Sequence, residues 1–127
     1  MNIKEQENID LKRSVQLEPQ KLIRKKYIVN KEKLKIVYIM VWTQVCGGSK
    51  IILEYANRIS QKGHDVTIIT YDQKPEWFKL NEQINFIQVP KNEELKKYIP
   101  KCDLIVATSW KCIYSAIDSQ KAPVVFF

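Results

Sequence analysis

Two short polar segments of this chain carry the groups a ligand could use, Gly47-Gly48-Ser49 and Thr108-Ser109-Trp110. The glycine pair follows an apolar run over residues 34–41 and opens a periodic segment, so it lies where a strand turns into a helix. Glycine reaches positive φ easily and leaves its main chain bare to a close approach. The first N–H groups of a helix point outward with the positive end of the dipole behind them. Main-chain N–H groups at Gly48, Ser49 and Lys50 would then suit a diphosphate or a sugar hydroxyl. In the second segment Thr108 or Ser109 is placed to cap the next helix, and Trp110 offers an aromatic face.

Other chemistry-bearing residues are weaker candidates. Cys46 precedes the glycine pair and could be a reactive thiol at a helix start. The three cysteines, Cys46, Cys102 and Cys112, form no C-x-x-C pair, which argues for free thiols over a disulfide or a zinc site. His64 opens the second strand at the end away from the two polar segments, where packing or a hydrogen bond accounts for it better than catalysis. Asp72 ends that strand, where an acid could hold a ribose. There is no G-x-G-x-x-G fingerprint, P-loop spacing or G-x-S-x-G elbow beside these residues. Trp42 and Trp110 would meet near one crevice, stacking on a sugar or base or filling a hydrophobic seam. No residue is assigned a catalytic role and no metal ligands are expected.

The elements that position these groups follow from hydrophobic periodicity. Residues 35–41 form a nearly continuous β-branched and apolar run, as expected of a strand buried on both faces. Ile51, Ile52, Tyr55, Ala56 and Ile59 then recur at helical spacing, opposite Glu54, Asn57, Arg58 and Gln61. Lys62-Gly63 closes that helix, and residues 65–71 read as a second strand. Residues 72–83 read as a loop, and residues 84–89 as a third strand at an edge with its direction open. A helix is expected from Asn92 to Pro100, then a fourth strand over residues 104–107, a helix through Trp110, Ile113, Tyr114 and Ile117, and a fifth strand from Pro123. The pattern predicts a Rossmann-like three-layer α/β domain with a mostly parallel sheet in the order 3-2-1-4-5. Ligands of such a sheet bind outside the carboxyl ends of the strands, where the first and fourth diverge. That rule selects the same two segments.

Residues 34–127 therefore read as the domain and residues 1–33 as a polar, basic extension too poor in apolar residues to build a core. The extension holds nine Lys/Arg against five Asp/Glu, more than half of the net charge of +7. The domain itself lacks the basic and aromatic interleaving of a nucleic-acid surface, so no nucleic-acid partner is expected. Within the extension, Leu22, Ile23 and Tyr27 lie near one helical face among Lys21, Arg24, Lys25 and Lys26, a pattern that suits peripheral contact with an anionic membrane as well as a solvated arm. No apolar stretch approaches the roughly 20 residues of a membrane span, and the polar start has no signal-peptide core. A cytoplasmic location is expected.

Residues 47–59, GGSKIILEYANRI, and 62–67, KGHDVT, together resemble the amino-terminal domain of family 4 glycosyltransferases. In that family a glycine pair after the first strand opens a helix ending in a Gly-His-x-Val turn. Residues 103–110, DLIVATSW, are similar to its fourth strand and following loop. The resemblance covers about residues 35–127 and is specific as a combination. It implies a GT-B enzyme of two Rossmann-like domains, the first mainly holding a glycan or lipid-linked acceptor and the second the nucleotide-sugar donor. It also implies retention, no bound metal and no cofactor beyond the donor substrate. Gly47 and Gly48 would lie near the donor diphosphate, and Thr108, Ser109 and Trp110 would line the cleft. The chain ends within the predicted fifth strand, so a donor-binding domain or subunit would have to come from elsewhere. Alternatively, the domain is a non-catalytic module that docks such a partner.

Overall fold

A computed structural model describes residues 2–16 and 32–127. Helix α1 (Ile3–Gln16) precedes strand β1 (Lys35–Met40), helix α2 (Gly47–Gln61), strand β2 (Asp65–Thr70) and strand β3 (Asn85–Gln88). A 3-10 turn (Leu95–Tyr98), strand β4 (Leu104–Ala107), helix α3 (Trp110–Ser119) and strand β5 (Val124–Phe126) complete the chain. The five strands form one sheet in the order β3-β2-β1-β4-β5, every pair parallel, as expected of a Rossmann-like three-layer domain. The open direction of β3 is settled as parallel, with Thr67 opposite Asn85.

Strand β1 is central and buried on both faces. Val37 and Ile39 face Ile69, Ile105, Cys112 and Ala116 on one side of the sheet. Ile36, Tyr38 and Met40 face Leu53, Ala56, Val66 and Ile68 on the other. This two-sided burial explains the unbroken apolar run, because a parallel central strand has no solvent face on which to alternate.

The helices depart from the sequence pattern in three places. Helix α2 buries Ser49, Ile52, Leu53, Ala56 and Ser60, whereas Ile51 and Tyr55 are half-exposed. Its apolar arc is wider than its contact with the sheet, and small residues lie in the contact. Tyr55 instead meets Phe127 edge to face at 5.6 Å. The helix expected from Asn92 to Pro100 is only the 3-10 turn Leu95–Tyr98, with no side-chain cap at Glu94. Too few residues lie between Pro90 and Pro100 to repay the cost of helix nucleation. Finally, residues 3–16 of the expected extension form a helix that packs against α3, with Asp10 fully buried. Asn2 and Glu5 close a reciprocal capping box at its start, at 2.9 and 3.1 Å. The basic segment over residues 21–28 lies outside the described residues.

The connection from β2 to β3 carries no helix. It lies across the α2 face of the sheet through Trp77, Phe78, Leu80 and Ile84. Asn57 of α2 holds it by donating to the Lys79 carbonyl at 2.9 Å and accepting from the Asn81 N–H at 2.8 Å. Gly63 ends α2 at a φ of 96°, the left-handed conformation expected at this position. Beyond it His64 Nδ1 accepts the Leu34 N–H at 3.1 Å, so the histidine anchors the start of β1.

Candidate functional site

The carboxyl ends of β1, β2 and β4 carry the two polar segments and a third loop that sequence reasoning did not join to them. The first segment begins with Trp42, half-exposed, and Thr43, which is buried. Thr43 is a hub. Its N–H donates to Asp72 Oδ2 at 3.0 Å, its hydroxyl to the Gln73 carbonyl at 2.6 Å, and its carbonyl accepts the Trp77 indole N–H at 2.8 Å. Asp72 also accepts the Gln73 N–H through Oδ1 at 2.9 Å. These bonds to the carboxylate, that from Thr43 foremost, hold its pKa below the usual value. The ionised carboxylate is thus committed to bracing two loops.

Between the loops lies a crevice of about 370 Å³, within the size range of small-molecule sites. Gln44, Val45, Gln73, Glu76 and Trp77 contribute to its walls. Two amides, a carboxylate and an indole are a fitting set for a polyhydroxyl ligand. The amides and carboxylate exchange hydrogen bonds with hydroxyl groups, and the aromatic face covers the apolar side of a ring. The sequence showed each residue separately, but their pairing depends on β2 lying beside β1, with the loops after both strands at the same end.

Gly47 and Gly48 follow, exposed in the first turn of α2. Neither has a positive φ, and a Cβ built on either would meet nothing within 4 Å. The turn geometry therefore does not require glycine here, contrary to one part of the sequence expectation. The surviving explanation is bare main chain toward the outside. Two of the three expected main-chain donors are already engaged: the Ser49 N–H donates to Cys46 Sγ at 3.3 Å and the Lys50 N–H to the Cys46 carbonyl at 3.0 Å. Ser49 is 3% exposed and packs inward.

Cys46 is the N-cap of α2 and is exposed. The Ser49 hydroxyl, 3.2 Å from its sulfur, and the Ser49 N–H lower its pKa by favouring the thiolate. Burial acts the other way on the remaining thiols, raising Cys112 and pushing Cys102 up to about 11.

The second predicted segment is tied to the same strand end. The Thr108 N–H and hydroxyl both donate to the Ile39 carbonyl, at 3.2 and 2.7 Å. Ser109 caps α3 by accepting the Lys111 N–H at 3.3 Å. Both hydroxyls thus position the loop. Trp110 is half-exposed, with Lys111 Nζ 5.9 Å from its ring centre. Trp42 and Trp110 are both half-exposed and neither lines the crevice, so the structure does not bring them together there as the sequence suggested.

A second groove, of about 430 Å³, lies at the amino ends of β1, β2 and β3 beside Lys35, Asp65 and Asn85. The carboxyl-end rule favours the smaller crevice, which also lies toward the N-terminus of α2. Among the described residues no three His, Cys, Asp or Glu side chains gather as a metal site, and no helix is long and apolar enough to cross a membrane. Compared with known proteins, the chain matches no family model and no curated sequence.

Proposed function

We propose that this domain is the acceptor-side half of a nucleotide-sugar-dependent glycosyltransferase, transferring a sugar to an envelope or polysaccharide acceptor. The observation that carries this reading is the pair Gly47 and Gly48, which neither φ nor packing demands. Glycine in a helix costs up to about 1 kcal/mol relative to alanine, so bare main chain here serves something that approaches from outside. The resemblance of residues 47–59 and 62–67 to family 4 glycosyltransferases names that visitor as the donor diphosphate. The adjoining Gln44, Gln73, Glu76 and Trp77 crevice takes acceptor hydroxyls.

In this reading the domain binds and orients the acceptor, and the first turn of α2 offers a positive dipole end to the leaving diphosphate. The nucleotide is held by a donor-binding domain or subunit. The test is a transfer assay on the native protein together with its donor-binding domain or subunit, with a panel of nucleotide sugars and glycan acceptors. Transfer that is lost in Gly48→Trp supports the reading, and absence of transfer across the panel counts against it.

A second reading rests on a different observation. Ile51, Tyr55, Val125, Phe126 and Phe127 are all exposed, Phe126 by 62%, beside the free edge of β5. Such a surface suits a non-catalytic module that docks a partner subunit. A purified chain that stays monomeric and captures no donor-domain partner would remove that reading.

A further inference from the structure

We infer that α1 is a displaceable strap that closes a pocket on the α3 face of the sheet, beside the carboxyl ends of β1 and β2. This deepens the proposed function, on which it rests for the identity of the ligand that the strap excludes. Ile3, Gln6 and Glu7 of α1 face Val41 at the end of β1, Tyr71 at the end of β2 and Cys112 of α3. With α1 in place only about 30 Å³ remains between them, roughly the space of one water molecule. Nothing as large as a sugar or a diphosphate enters this pocket while α1 is docked.

Among the described residues, two ion pairs cross the seam that holds the strap. Glu7 Oε1 lies 3.0 Å from Lys111 Nζ, and both side chains are about 30% exposed. Arg13 grips both carboxylate oxygens of Asp118, at 2.7 and 3.3 Å, and lies over the Tyr114 ring at 4.3 Å. Partly exposed ion pairs are individually weak and are screened by salt. The apolar residues Ile9 and Leu11 are exposed, so α1 does not use them to hold the domain. A helix docked in this way opens at lower free energy than the sheet beneath it.

Position turns this weak docking into regulation. Lys111 stands in the first turn of α3, beside Trp110 and two residues after the Ser109 cap. The Glu7 carboxylate therefore occupies the neighbourhood where an anionic ligand group would meet Lys111. A ligand group that reaches Lys111 through this pocket and the strap exclude one another, and its binding draws the population toward the open form.

The three free thiols of the full chain test this without a ligand. Cys46 is exposed, Cys112 is 2% exposed beneath α1, and Cys102 is buried near the start of β4. N-ethylmaleimide labelling is followed by peptide mapping in the wild type and in Glu7→Lys/Arg13→Glu. The expected result is a rise of about tenfold or more in the Cys112 rate with Cys102 unchanged, tenfold being a factor that a modest docking energy produces. A Cys112 rate that stays the same, or that rises only in step with Cys102, overturns the proposal. Should the variant fail to fold, wild-type hydrogen exchange decides the matter. Amides of α1 exchanging well ahead of those of β1 support the strap, and equal protection overturns it. No sugar enters these experiments, so their outcome and that of the transfer assay are independent.

Discussion

Asp72 accepts the main-chain N–H of Thr43 at 3.0 Å, so the loop after β2 holds the loop after β1 and the crevice between them has a fixed floor. The bond is charge-assisted, and its removal in Asp72→Asn is expected to cost about 1 kcal/mol. The folded-state pKa of Asp72 lies below its ordinary value, so the contribution is present above the unfolded carboxylate pKa and is lost as pH falls through the folded value. Urea unfolding at neutral pH should therefore separate wild type from variant, and the gap should narrow below about pH 4. A gap unchanged in acid would show that the carboxylate charge is not what holds the loops.

Gly47→Ala and Gly48→Ala should each stabilise the chain, by about 0.5–1 kcal/mol, because helical backbone and open space accept a methyl group. The same changes should weaken ligand binding at α2. Thermal melts check the first effect and affinity measurements the second. Destabilisation by either alanine would mean that the glycines serve the fold.

Gly63→Ala should act in the opposite direction. A Cβ there also meets nothing within 4 Å, but φ is 96°. Backbone strain alone should cost about 1–2 kcal/mol. Comparing the three alanine variants in one denaturation series separates glycines needed for conformation from glycines kept for access.

Cys46 should alkylate first among the thiols and with a pH midpoint below the roughly 8.5 of a free cysteine. Ser49→Ala removes the largest cause of the lowered pKa and should move the midpoint upward. Iodoacetamide rates measured against pH, resolved by peptide, provide the check. A midpoint equal to that of a free thiol would contradict the capping geometry.

The centre of the sheet was legible because β1, β2 and β4 are buried on both faces. Residues 36–41 are a continuous apolar run, residues 66–71 are broken only by Thr67 and Thr70, and Gly63 marks the joint between α2 and β2. The arc of α2 was misjudged because Ile51 and Tyr55 are apolar yet lie outside its contact with the sheet. Helix α1 was missed because its burial is polar, through Asp10 and Arg13, and a hydrophobic pattern carries no trace of ion pairing. Its one local signal was the capping box at Asn2 and Glu5. Within the candidate site, the glycines and the Ser109 cap could be read from spacing. The hub at Thr43 could not, because its three partners at Asp72, Gln73 and Trp77 lie about 30 residues away in sequence.

The most direct test of the central claim is an amide and indole NMR titration of the chain with a panel of oligosaccharides and nucleotide sugars, carried to about 10 mM so that even weak binding near 1 mM is seen. The account predicts saturable shifts at Gln44, Gln73 and the Trp77 indole with at least one glycan, absent at His64 and lost in Trp77→Ala. A panel that leaves those signals in place, or moves only the amino ends of the strands, would contradict an acceptor site in this crevice.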